Sequence, residues 1–133
     1  MAVLLLAVVF GAGTGCQSCN AVALTSAIVI QLQDVANSHR APFTVHGCYG
    51  NTCVDKQVVT DADSQLFIPL DLSPPPTEAL HVEATDTSTG KRFIDASVAL
   101  EVPQRTIGSG GCTSTFRSRT VLLTSDGQLK PLG

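Results

Sequence analysis

The chain has 133 residues, 44% of them hydrophobic and only 14% charged, with a formal net charge of −3 at neutral pH. That length suits one domain, and the acidic balance argues against nucleic acid as a partner. Aromatic residues make up 5% and tryptophan is absent, which removes the usual stacking platform for sugars.

The first element is an apolar run, Ala2-Val3-Leu4-Leu5-Leu6-Ala7-Val8-Val9-Phe10, followed by Gly11-Ala12-Gly13-Thr14-Gly15 and then Cys16. Such a run is too short to cross a hydrocarbon core of roughly 30 Å as a helix. It has the length of the apolar region of a secretory signal, with small residues where cleavage occurs. A cysteine directly after small residues is where bacterial lipoproteins are cleaved and acylated. The expectation is a lipoprotein-type signal over residues 1–15, a lipid-attachment and linker segment over 16–24 with Cys16 acylated, and a domain over 25–133. Ordinary cleavage after Gly13 or Gly15, giving a secreted chain, and a buried first strand of a cytosolic protein are the alternatives. No Lys or Arg precedes the run, so either a basic segment lies upstream or the N-terminal amine alone supplies the positive charge.

Beyond the leader, helical periodicity gives way to alternation, the mark of half-buried strands. Residues 27–33 put Ile28, Ile30 and Leu32 on one face, and 43–49 do the same with Phe43 and Val45. A short strand follows over 52–59, and Leu66-Phe67-Ile68 ends at Pro69, as an edge strand would. Residues 79–85 send Leu80, Val82 and Ala84 one way and His81, Glu83 and Thr85 the other. Residues 93–102 align Ile94, Ala96, Val98, Leu100 and Val102, and a last strand covers 116–124. Asn37-Ser38-His39, Ser73-Pro74-Pro75-Pro76, Thr87-Ser88-Thr89-Gly90, Gly108-Ser109-Gly110-Gly111 and Asp126-Gly127 carry turn or loop chemistry. Seven short strands so spaced predict an all-β domain, a single immunoglobulin-like or transthyretin-like sandwich after the signal segment.

Five cysteines in a small exported chain read as disulfides plus a leftover, and acylation of Cys16 makes the remainder even. A two-residue turn at Gly50-Asn51, with glycine first as a type II′ turn wants, sets Tyr49 opposite Thr52 and Cys48 opposite Cys53. Those two cysteines are then within disulfide range. Cys19 precedes the first strand and Cys112 the last. In an immunoglobulin-like topology these strands run parallel, so Cys19–Cys112 is the expected second bridge.

Catalytic and metal chemistry has little support in the sequence. Cys16-Gln17-Ser18-Cys19 has the spacing of a metal or redox pair and could join Cys48 and Cys53 around zinc, but no βαβ pattern accompanies it. Gly108-Ser109-Gly110 is not a nucleophile elbow. Asp61, Asp63 and Asp71 lack the spacing and glycine of a calcium loop and read as a solvated acidic turn. His46 alternates away from Phe43 and Val45 and reads as a surface residue. The expectation is no catalytic residue, no metal and no cofactor.

The leader ending in Gly15-Cys16, the hairpin from Val45 to Cys53, Leu80-His81-Val82-Glu83-Ala84-Thr85-Asp86, Gly111-Cys112 and the closing Thr124-Ser125-Asp126-Gly127 together resemble small secreted lipoproteins of actinobacteria. That resemblance implies a sandwich in the cell envelope and no particular activity. Thr60-Asp61-Ala62-Asp63-Ser64-Gln65-Leu66-Phe67 is also similar to a turn of carboxypeptidase-regulatory-type transthyretin-like domains, with Ser64 in place of its glycine. The functional expectation is a membrane-anchored extracytoplasmic module that binds an unknown protein or small ligand at its loops. The runner-up is an envelope enzyme or enzyme accessory, recognisable by a pocket where His39, His46 or His81 meets an acid and a Ser or Cys.

Overall fold

A computed structural model describes residues 26–40, 42–60, 63–70, 77–109 and 112–132. In chain order the elements are β1 (Ala27–Gln31), a short helix α1 (Gln33–Ser38), β2 (Phe43–Tyr49), β3 (Thr52–Val58), β4 (Gln65–Pro69), β5 (Thr77–Asp86), β6 (Arg92–Glu101), β7 (Gln104–Ser109), β8 (Cys112–Leu123) and β9 (Leu129–Leu132). They form two packed sheets, one ordered β4-β1-β8-β7 with β9 also paired to β8, the other ordered β3-β2-β5-β6. The fold is an all-β sandwich, as expected, but with nine strands among the described residues in place of seven. β1 pairs antiparallel with β4 and parallel with β8. The parallel relation expected between the first strand and the one after Cys112 is therefore present. The order differs from the immunoglobulin constant arrangement, where the first two strands are sheet neighbours, because β1 and β2 lie in opposite sheets here.

Alternation explains the layers. Ile28 and Ile30 of β1, Phe43 and Val45 of β2, Ile68 of β4, Leu80, Val82 and Ala84 of β5, Leu100 of β6 and Val121 and Leu123 of β8 all turn into one shared core. Each fully buried side chain of this size is worth roughly 1.5–3 kcal/mol over its exposed state, so the two inner faces hold the sheets together. The edges are guarded: β3 turns Lys56 to its inner side, opposite buried Val45, and prolines sit in β4 and β9. An inward charge or a proline on an edge strand blocks further pairing.

One charged residue joins the sheets from within. Arg117 of β8 is 1% exposed, and its Nε donates to the Val102 carbonyl just past β6 at 3.2 Å. Nearby, the buried Tyr49 hydroxyl donates to the Leu100 carbonyl at 2.8 Å. Burial pushes the Tyr49 phenol above its ordinary range, an effect the Arg117 charge partly offsets. Arg119, one turn of alternation further on, gives Nη1 to the Glu101 carbonyl at 3.2 Å. Arg117 and Arg119 thus both satisfy backbone carbonyls at the end of β6.

The elements that sequence patterning missed are short or lack an apolar face. α1 has six residues, too few to display a helical period, and only Val35 and Ala36 are buried. It covers Asn37 and Ser38, which read as loop, and it is tied down where the Ser125 N–H donates to Asp34 Oδ2 at 2.7 Å. β7 is mostly exposed, and Gly108 and Ser109, read as loop, are paired in it with Thr113 and Cys112. β9 holds four residues including Pro131. Cys16, Cys19, Asp61 and Asp71 lie outside the described residues, and so does the expected Cys19–Cys112 bridge.

Gly47 of β2 faces side chains of the other sheet with no room for one of its own. A Cβ there would lie 2.8 Å from Leu66 Cδ2 and 3.4 Å from Ile68 Cδ1. Gly47→Ala should therefore force Leu66 to repack and lower stability by about 1–3 kcal/mol, read as an earlier urea midpoint. An unchanged midpoint would show that the contact is not tight.

Candidate functional site on the outer face of the four-stranded sheet

The alternation that buries Phe43, Val45 and Tyr49 turns Thr44, His46 and Cys48 outward on β2, and β5 likewise turns out His81, Glu83 and Thr85. Strand register then assembles two rows across the sheet. Cys53, Cys48, His81 and Ser97 form one row; Asp55, His46, Glu83 and Asp95 form the next. Residues opposite one another on a face have Cβ atoms about 4.5–5.5 Å apart, within side-chain reach.

The contacts follow. Cys48 and Cys53 are joined in a disulfide, with Cα atoms 4.1 Å apart. Gly50 has φ of 59° while no non-glycine residue among those described has positive φ, which is the backbone expected of glycine at the first position of a type II′ turn. His46 Nδ1 hydrogen-bonds Asp55 Oδ1, and its Nε2 lies 3.2 Å from Cys48 Sγ. The His46 and Asp55 side chains are 44% and 67% exposed, so this group lies on the open surface. His81 Nε2 is 2.6 Å from Asp95 Oδ1 and 3.5 Å from Glu83 Oε1. Arg92 Nη1 approaches Glu83 Oε1 at 3.2 Å and Asp95 Oδ2 at 3.8 Å.

His81, Glu83 and Asp95 bring donor atoms within 4.8 Å of one another, the crowding a cation would need. Arg92 already bridges both carboxylates, so the group reads as an ion-pair network. The four-cysteine zinc alternative meets a direct obstacle, because the Cys48 and Cys53 sulfurs are bonded to each other and are not thiolates.

His39 sits elsewhere, after α1 at one end of the sandwich. Its ring stacks on Phe93 at 4.0 Å between centroids and meets Phe43 edge-on at 5.7 Å, while Nε2 is 2.8 Å from Asp86 Oδ2. It borders a cleft of about 320 Å³ that Arg40, Val58 and Thr60 also line. This histidine helps close the end of the core. On the opposite sheet the outer surface carries an apolar patch instead, with Phe67 55% exposed beside Ala27, Val29 and Pro69.

Asp55, His46 and Cys48 thus bring an acid, a histidine and a half-cystine together, but on an open sheet face and not in the pocket the enzyme reading calls for. The hairpin turn that pairs Cys48 with Cys53 also pairs His46 with Asp55, so this part of the site was implicit in the sequence. Placing β5 beside β2, which adds His81 and Glu83, had no local signal. Comparison with protein-family models, curated proteins and solved structures gives no match. The protein is accordingly defined by its own architecture, an all-β sandwich carrying a disulfide and a histidine–carboxylate network on one outer face.

Asp86 offers a check on the electrostatics. Its carboxyl is held below the ordinary carboxylate range, chiefly by the Thr89 backbone N–H and against the cost of desolvation, with His39 and Ser88 adding to the lowering. A folded value below the unfolded one means that these bonds stabilise the fold fully above about pH 4 and are lost as pH falls through the lowered value. Melting temperature between about pH 5 and pH 2 should therefore fall more steeply for the wild type than for Asp86→Asn. Equal slopes would show that Asp86 carries no such linkage.

Proposed function

We propose that the chain is an extracytoplasmic β-sandwich lipoprotein, held to a membrane through acylated Cys16, that acts as an interaction or ligand-binding module and not as a catalyst. The observation that carries this reading is the outer face of β3-β2-β5-β6. Asp55, His46, Glu83 and Asp95 stand in one row there beside an accessible disulfide. Such a surface offers many polar contacts to a partner, but its openness leaves reacting groups in water, where electrostatic stabilisation is weak. The partner is a protein or small ligand and, given the net charge of −3, not nucleic acid.

Two features support the location. The apolar run before Gly11-Ala12-Gly13-Thr14-Gly15-Cys16 has the form of an export signal, and a disulfide suits an oxidising compartment. Acylation of Cys16 leaves four cysteines, Cys48–Cys53 and the proposed Cys19–Cys112 pair. The likeness to secreted actinobacterial lipoproteins agrees with this arrangement. The second reading, an envelope enzyme or enzyme accessory, is favoured by one observation, the alignment of Asp55, His46 and Cys48.

Stable anchoring takes two or more acyl chains, so it should depend wholly on the modified cysteine. Expression with labelled palmitate in a bacterial host should mark the wild-type chain in the membrane fraction and leave Cys16→Ser unmarked and released. Equal labelling of both would end the lipoprotein reading.

A further inference from the structure

The Cys48–Cys53 disulfide carries chemistry that a binding module does not require. Cys53 is exposed on the edge strand β3, while Cys48 is half-buried on β2. The bond closes a loop with sequence separation 5, which on the chain-entropy estimate contributes only about 2 kcal/mol. The core that holds β2 in place lies on the opposite side of the strand, so the packing of β2 does not run through the bridge. Next to it stands an imidazole held through Nδ1 by Asp55, with Nε2 facing Cys48 Sγ at 3.2 Å.

We propose that Cys48–Cys53 is an exchange-active disulfide, opened by an external thiol at Cys53, with His46 receiving the departing Cys48 thiolate. In the first step the attacking thiolate forms a bond to Cys53 Sγ, the Cys48–Cys53 bond breaks, and its electron pair leaves on Cys48. A protonated His46 donates from Nε2 to that sulfur. A second thiolate then attacks the external sulfur of the mixed disulfide, releasing Cys53 as thiolate. Two external thiols are oxidised to one disulfide and one cystine is reduced to two cysteines; the reverse reaction oxidises the protein.

Exchange is faster when the leaving thiol is the more acidic, and a cysteine beside a histidine cation is acidified. That asymmetry selects the sulfur. Cys48 has the imidazole and leaves, whereas Cys53 is accessible and is attacked. The charged groups facing His46 are Asp55 from β3 and Glu83 from β5, with Asp95 and Arg92 of β6 beyond Glu83 and His81 in the adjacent row. Asp55 is a positioning residue, since it fixes the ring and supports its charge without touching sulfur. The inference is independent of Cys16 and of the membrane, so it stands or falls separately from the lipoprotein reading.

The test uses the oxidised full-length protein with reduced glutathione as the thiol, followed by acid quenching, alkylation and mass spectrometry of the Cys48 and Cys53 peptides. The wild type should open with glutathione trapped on Cys53, and His46→Gln should open on the order of tenfold more slowly. Asp55→Asn should be slowed as well, with the pH profile of Cys48 alkylation moved towards that of an ordinary thiol. In the reduced wild type alone, Cys48 should alkylate at lower pH than Cys53, a comparison that needs no variant to fold. Equal opening rates for wild type and His46→Gln, glutathione trapped on Cys48, or identical alkylation profiles for the two cysteines would overturn the proposal.

Discussion

The register of β2 is the constraint on which both the core and the outer face depend. Side chains on a strand alternate, so a slip of one residue would bring Phe43 and Val45 to solvent and turn His46 and Cys48 inward. The turn at Gly50-Asn51 fixes that register against β3, and burial of Tyr49 and Val45 fixes it against the other sheet. Gly47 adds a steric condition, because the room a side chain would need there is taken by Leu66. Core packing and the placement of the polar groups are therefore one choice, made once.

Arg117 supplies the second constraint, beside Tyr49 at the end of the sandwich that holds the Gly50-Asn51 turn. A buried guanidinium is costly unless its donors are met. Here the Val102 carbonyl meets Nε, and the neighbouring Tyr49 hydroxyl is itself satisfied by Leu100. The Arg117 bond ties β8 of one sheet to the end of β6 in the other, and the Tyr49 bond ties β2 to β6 beside it. The parallel pairing of β1 with β8 places Arg117 correctly, and the Ser26 hydroxyl, just before β1, accepts from the Arg117 backbone N–H at 2.9 Å. The polar contacts at this end complement the apolar interior by fixing how the two sheets are offset.

How much of this was legible follows from which signals are local. The inward sets Ile28/Ile30/Leu32, Phe43/Val45 and Leu80/Val82/Ala84 could be read from alternation, and all are buried. The Cys48–Cys53 bridge could be read from a two-residue turn, and the same geometry implied the pairing of His46 with Asp55. Patterning failed where it had nothing to act on: α1 is under two turns, β7 is largely exposed, and β9 is cut by proline. It also failed for long-range pairing. The contact of His39 with Asp86 spans 47 residues, and the outward orientation of His81 says nothing of which strand lies alongside. The burial of Arg117 has no signal in the sequence either, because charge is counted from sequence while burial is decided by tertiary packing.

The two outer faces divide the molecule by chemistry. One carries an apolar patch around Phe67; the other gathers carboxylates, histidines and a disulfide. The central claim is that the polar face is built, with Asp55 orienting His46 so that Nε2 is turned to Cys48. The most direct measurement is the tautomer of His46 by long-range ¹⁵N–¹H correlation in the oxidised protein, taken at a pH where the ring is neutral. The account predicts the proton on Nδ1, donated to Asp55, with Nε2 unprotonated. A proton on Nε2, or a rapid average of both tautomers, would contradict it.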